Sequence, residues 1–138
     1  MKTRIENIAL LKIQIKKGEK LFLKEKYKKA VKCFYEAERL NKKTYLIEKD
    51  DFHIKKNIVL HKNIHLCAVS FFDKEDLKSA LKAFKFCIAN YEYNKIENYT
   101  YIGKIYAKQN KKGKSLDAFE KAEAIKELRE YYKKHLEK

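Results

Sequence analysis

The sequence predicts an all-α fold of antiparallel helix pairs, and three observations carry that prediction. Proline is absent and glycine occurs only three times in 138 residues, so little interrupts long helices. Gly18, Leu21, Tyr27, Ala30, Phe34 and Ala37 follow helical spacing on either side of a polar Lys-Glu-Lys at 24–26. The same register returns 50 residues later as Ala68, Phe71, Leu77, Ala80, Phe84 and Cys87. It returns again after a further 35 as Gly103, Tyr106, Lys112, Ser115, Phe119 and Ala122, where only Lys112 departs from type. Small residues alternating with rings suit two backbones in close approach, and a recurring register marks a repeat architecture.

These positions resemble the tetratricopeptide repeat, a 34-residue helix–turn–helix unit with a small–aromatic–small signature. The resemblance implies a right-handed α-solenoid of three units, at about 11–44, 61–94 and 96–129, within a single domain spanning 1–138. Two features depart from the family pattern. No proline closes the units, and about 16 extra residues separate the first from the second.

Thr3 and Glu6 form a capping box that starts helix one near Arg4. Its inward face reads Ile5, Ile8, Leu11, Ile15, Gly18 and Phe22, and it runs to about Glu25. Helix two begins near Tyr27 and reaches at least Asn41. The stretch 42–60 holds the extra residues. A structureless loop of that length is uncommon in a compact domain. About two added turns on each of two antiparallel helices absorb the insertion instead, at about 3.6 residues per turn. Leu40, Thr44 and Ile47 continue the inward stripe and Ile54, Ile58 and Ile64 return it, with a turn near 48–51 and helix three over 51–73. This elongated first hairpin resembles the arrays of large immunophilins. Helix four covers about 76–90 and helix five about 96–109. Helix six opens near Lys114 after the turn signal Asn-Lys-Lys-Gly and buries Leu116, Phe119, Ala122, Ile125 and Leu128. Residues 130–138 extend it, and Leu128, Tyr131, Tyr132 and Leu136 are expected to cover the open end of the stack.

Composition narrows the function. A net charge of +15 suggests nucleic acid, but 31 of the 34 basic residues are Lys and only Arg4, Arg39 and Arg129 can fork onto phosphates. The lysines are spread over several helices, as on a solvated surface. Cys33, Cys67 and Cys87 sit on or beside the apolar register and read as buried free thiols of a reducing compartment. No stretch approaches a membrane span or a signal peptide, so the expected location is cytoplasmic.

Candidate chemistry is sparse. His61 and His65 share a helical face, as metal ligands do, but no third ligand accompanies them; His53 and His135 are isolated. Asp73, Glu75 and Asp76 cluster at a helix start, where carboxylates complement the dipole. No phosphate loop, catalytic triad spacing or paired carboxylates appear, so no catalysis, metal or cofactor is expected.

The resemblance instead implies a concave groove lined by the first helix of each unit. It would consist of Lys12, Ile15, Glu19, Phe22 and Leu23, then Lys62, His65, Val69, Phe72 and Asp73, then Glu97, Thr100, Lys104, Ala107 and Lys108. Such a groove holds a partner protein or peptide, and Phe22 and Phe72 either anchor it or fill space between helices. Nucleic acid on Lys-rich outer helices is the alternative. Tyr91, Tyr93, Tyr131 and Tyr132 are candidates for self-association. The family's chaperone-binding members clamp a C-terminal carboxylate with Lys, Asn and Arg. The matching positions here are Ile15, Glu19, Leu66, Glu97 and Tyr101, two of which repel a carboxylate. A peptide ending in such an acidic tail is expected to show no micromolar binding by calorimetric titration, and micromolar affinity would refute this reading.

Overall fold

The computed structural model describes residues 3–44 and 50–136, and among them has six helices and no strand. These are α1 (Arg4–Leu23), α2 (Tyr27–Lys43), α3 (Asp51–Asp73), α4 (Leu77–Asn90), α5 (Lys95–Lys108) and α6 (Lys112–Leu136). Ile47 and residues 48 and 49 of the expected 48–51 turn lie outside the described residues.

Three helix ends share one turn. Glu25, Glu75 and Asn110 each adopt a left-handed conformation, at φ 58°, 61° and 60°. The following amide then reaches back five residues: Lys26 to the Leu21 carbonyl, Asp76 to Phe71 and Lys111 to Tyr106, each at 2.9 Å. This is the Schellman closure, which satisfies carbonyls left over at a helix end. Its positions are offset by 50 and 35, as the apolar register is. Glutamate bears a cost of about 1 kcal/mol in that conformation, yet glycine takes none of the three places. Gly113, part of the turn signal, lies inside the first turn of α6.

The chain divides within α4 into two compact units, Met1–Ala83 and Phe84–Lys138. In the first, α1 packs along α2, α2 along α3, and α1 also touches α3. The Thr3 hydroxyl accepts the Glu6 amide at 3.1 Å and caps α1. Leu11, Ala30, Phe34, Ala37, Leu60, Ile64, Cys67 and Ala68 are fully buried. A β-carbon added at Gly18 would stand 2.6 Å from the Phe34 ring.

In the second unit α5 packs along α6. There a β-carbon at Gly103 would stand 2.7 Å from the Phe119 ring, and the buried Ser115 hydroxyl donates to the Gly103 carbonyl at 2.8 Å. Phe84 stacks on Tyr101 with centroids 4.6 Å apart.

Several side chains expected inside are outside. Ile5 is 79% exposed, although the adjacent Arg4 reaches the end of α2. Ile54 and Ile58 face solvent, because the inner stripe of α3 is His53, Asn57, Leu60, His61, Ile64, Cys67, Ala68 and Phe71. Leu116 and Leu128 are exposed and Phe119 partly so. Leu128, Tyr131, Tyr132 and Leu136 are exposed, since α6 has 25 residues against 14 in α5 and its last turns run past that helix. Tyr91, expected outside, is buried.

The two glycine contacts differ in how far the ring can yield. Phe34 is fully buried, whereas Phe119 is 37% exposed. Gly18→Ala is expected to lose about 1–3 kcal/mol by overpacking, outweighing a helix-propensity gain of about 1 kcal/mol. Gly103→Ala is expected to lose less. Urea unfolding of both variants checks the order, and equal losses would refute it.

Candidate partner-binding site

In the first unit the helix faces named by the sequence are accessible, with one exception. Lys12, Ile15 and Glu19 line a cleft of about 450 Å³ together with Ile13, Lys16, Lys56 and Val59. Ile15 forms its floor and is itself buried. Phe22 does not join this cleft; it is half-buried, edge-on to Tyr27 at 5.2 Å. Leu23 is exposed at the end of α1. On α3, Lys62 and Asp73 are exposed, Val69 and Phe72 half-buried, and His65 rests against the His61 ring at 5.7 Å.

The same side of α3 carries apolar residues that sequence reasoning had turned inward or left aside. Ile58, Lys62, Leu66 and Val69 fall within about 80° of one another at roughly 100° per residue. Ile58 and Leu66 are exposed. Helical spacing alone could have placed them there, had the His53–Asn57–His61 series been recognised as the inner one.

In the second unit Glu97, Lys104, Ala107 and Lys108 are exposed along α5. Thr100 is half-buried and its hydroxyl donates to the Ile96 carbonyl at 2.7 Å. The Lys104 ammonium lies 5.3 Å from the centre of the Tyr101 ring.

Each unit also holds a lysine-lined cleft on its second helices. In the first, about 380 Å³ is bounded by Lys28, Lys32, Lys78 and Lys82 over Val31, Tyr35 and Phe71. In the second, about 460 Å³ is bounded by Lys85, Lys114 and Lys121 around Tyr99 and Tyr106. Lys82 caps Tyr35 at 5.6 Å, and Lys85 and Lys114 cap Tyr106 at 5.4 and 5.7 Å. Asp117 enters the second cleft and pairs with Lys121 at 3.0 Å.

The largest departure from expectation is a buried polar seam between α2 and α3. Glu38, Asn41 and Thr44 of α2 and its cap are buried, as are His53, Asn57 and His61 of α3. Asn41 Nδ2 donates to Asn57 Oδ1 at 3.0 Å. His53 is therefore not isolated. Its Nε2 lies 2.7 Å from Thr44 Oγ1 and its Nδ1 2.6 Å from Asp50 Oδ1. Asp50 also caps α3 by accepting the His53 amide at 3.0 Å. From α1, Arg4 Nε donates to the Thr44 carbonyl at 2.8 Å, and Nη2 reaches Asp50 at 3.4 Å. One clasp thus ties the start of α1, the end of α2 and the start of α3.

The order carboxylate–imidazole–hydroxyl has the form of a nucleophilic triad, in which the imidazole takes the hydroxyl proton. Here Thr44 Oγ1 is buried and donates its proton to the Asn41 carbonyl at 2.9 Å. The arrangement holds helix ends together and does not present a nucleophile. The spacings 41/44 and 53/57/61 are the signal in the sequence, polar side chains at three- and four-residue steps on two facing helices.

Among the described residues no group of three His, Cys, Asp or Glu is placed to hold a metal ion. All three cysteines are buried free thiols, and burial pushes the Cys67 thiol up to about 12. None of the described helices is long and apolar enough to cross a membrane. Compared with known protein families, curated proteins and solved structures, the chain gives no match.

The backbone amide of His53, then its ring and the Arg4 charge, hold the Asp50 carboxyl below its usual range. A carboxyl lowered in the folded state stabilises above its unfolded pKa, about 3.9. That contribution fades as pH falls through the lower folded value. Asp50→Ala is expected to destabilise the fold near neutral pH by loss of the cap, with the gap to wild type narrowing in acid. Denaturant unfolding at about pH 7 and about pH 3 measures this; a gap that stayed constant would refute the role given to the Asp50 charge.

Proposed function

We propose that the chain is a protein-interaction module without catalytic chemistry of its own. Its three hairpins are of the tetratricopeptide type, stacked as a right-handed solenoid with an elongated first hairpin, and its groove takes a segment of a partner protein. Recurrence of one Schellman closure at offsets of 50 and 35 carries this reading. The matching Gly18–Phe34 and Gly103–Phe119 approaches support it. The module acts as an adaptor in the cytoplasm, with apolar anchors on α1 and α3 meeting the bound segment.

The exposed Ile58 and Leu66 make the test clean, because changing them leaves the core untouched. Capture from the native cell extract is expected to yield a partner that wild type retains and Leu66→Glu and Ile58→Glu bind at least about tenfold more weakly. Circular dichroism should be unchanged. A capture profile indifferent to both substitutions would remove the groove from consideration.

A second reading rests on the two lysine-lined clefts, which hold seven lysines among their lining residues and one acid. A basic factor bound to nucleic acid would track phosphates there. Its retention on generic nucleic acid would then fall steeply with salt, by about 0.7–0.9 in log–log slope for each phosphate contacted.

A further inference from the structure

The last turns of α6 form a helix face left exposed among the described residues. Leu128, Tyr131, Tyr132 and Leu136 are 53%, 57%, 53% and 78% exposed, and the Tyr131 and His135 rings touch at 4.2 Å. Ala124, Leu128, Tyr131 and His135 recur at alternating steps of four and three residues. That is the spacing of a coiled-coil seam. They fall within about 60° of one another, taking roughly 100° per residue. Tyr132 and Leu136 widen the apolar face on one flank, and Glu127 and Lys134 bound the other.

We propose that this face pairs with α6 of a second copy of the chain, antiparallel and about a twofold axis. Charge selects the occupant and the direction. Set antiparallel with Leu128 facing Tyr131 of the second copy, the seam also places Ala124 against His135. Residues flanking the seam on one side then meet their counterparts on the same side. Glu127 lies beside Lys134 of the second copy, and the twofold axis repeats the pair. A parallel arrangement would leave Glu127 beside Tyr132 and separate it from Lys134. Among the charged residues from Lys126 to Lys134, Glu127 and Lys134 flank the seam, while Lys126, Arg129, Glu130 and Lys133 lie more than about 100° from its centre at roughly 100° per residue. The helix is complementary to itself only when reversed.

The seam is short. The turns from Lys126 to Leu136 rise about 16 Å at 1.5 Å per residue. So short a pairing is expected to bury less than the roughly 1,200 Å² of a standard interface, and association is tested over the micromolar range.

Sedimentation velocity of the intact chain is expected to show a monomer–dimer equilibrium that shifts with concentration. Leu128→Glu is expected to abolish the dimer while helix content is retained. Glu127→Lys and Lys134→Glu should each weaken association about tenfold, and the double exchange should restore it, since the ion pairs re-form reversed. A single monomeric species up to about 100 µM, or a dimer indifferent to Leu128→Glu, would overturn the proposal. Failure of the double exchange to rescue would overturn the antiparallel register.

Discussion

Two places where a helix backbone lies directly against a phenylalanine ring govern how the hairpins close. At Gly18 and at Gly103 there is no room for a single further carbon. Close approach of that kind needs a residue without a side chain on one helix and a flat one on the other. The turn completes the constraint. A left-handed residue followed by a five-residue back-bond fixes where the second helix starts relative to the first, so ring and glycine meet at the same height each time.

Between α2 and α3 a different rule holds. Apolar packing tolerates slippage, because one methyl group can stand in for another. Asn41 with Asn57, and Thr44 with His53 and Asp50, cannot slide by a turn without leaving buried polar atoms unmatched. Hydrogen-bond matching therefore sets the register of α2 against α3. The neighbouring isoleucines are displaced to the surface as a result.

This division explains what could be read from the sequence. The helix count, the start of α3 at Asp51 and the buried places of Ala30, Phe34 and Ala37 all followed from spacing and composition. Ile54 and Ile58 stand outside although hydrophobicity alone points them inward, because the polar series His53, Asn57 and His61 at four-residue steps takes the inner face. Nothing in a one-dimensional pattern says that such a series will find partners; that depends on which helix lies opposite. The end of α6 failed for another reason. An apolar stripe shows that a face wants cover, not that cover exists, and only the lengths of α5 and α6 together reveal the overhang. Of the groove residues, accessibility was legible from helical phase, whereas the cleft shared by Lys12, Ile15 and Glu19 with Lys56 and Val59 needed the tertiary placement of α1 against α3.

The sealed thiols have a bearing on kinetics. Cys67 is wholly enclosed on α3, and burial keeps its proton on, so the reactive thiolate is scarce while the helix stays packed. Modification by an alkylating or oxidising agent must wait for that helix to swing away from its neighbours. The thiol thereby serves as an internal clock of local opening, and separate clocks at Cys33 and Cys87 would time α2 and α4.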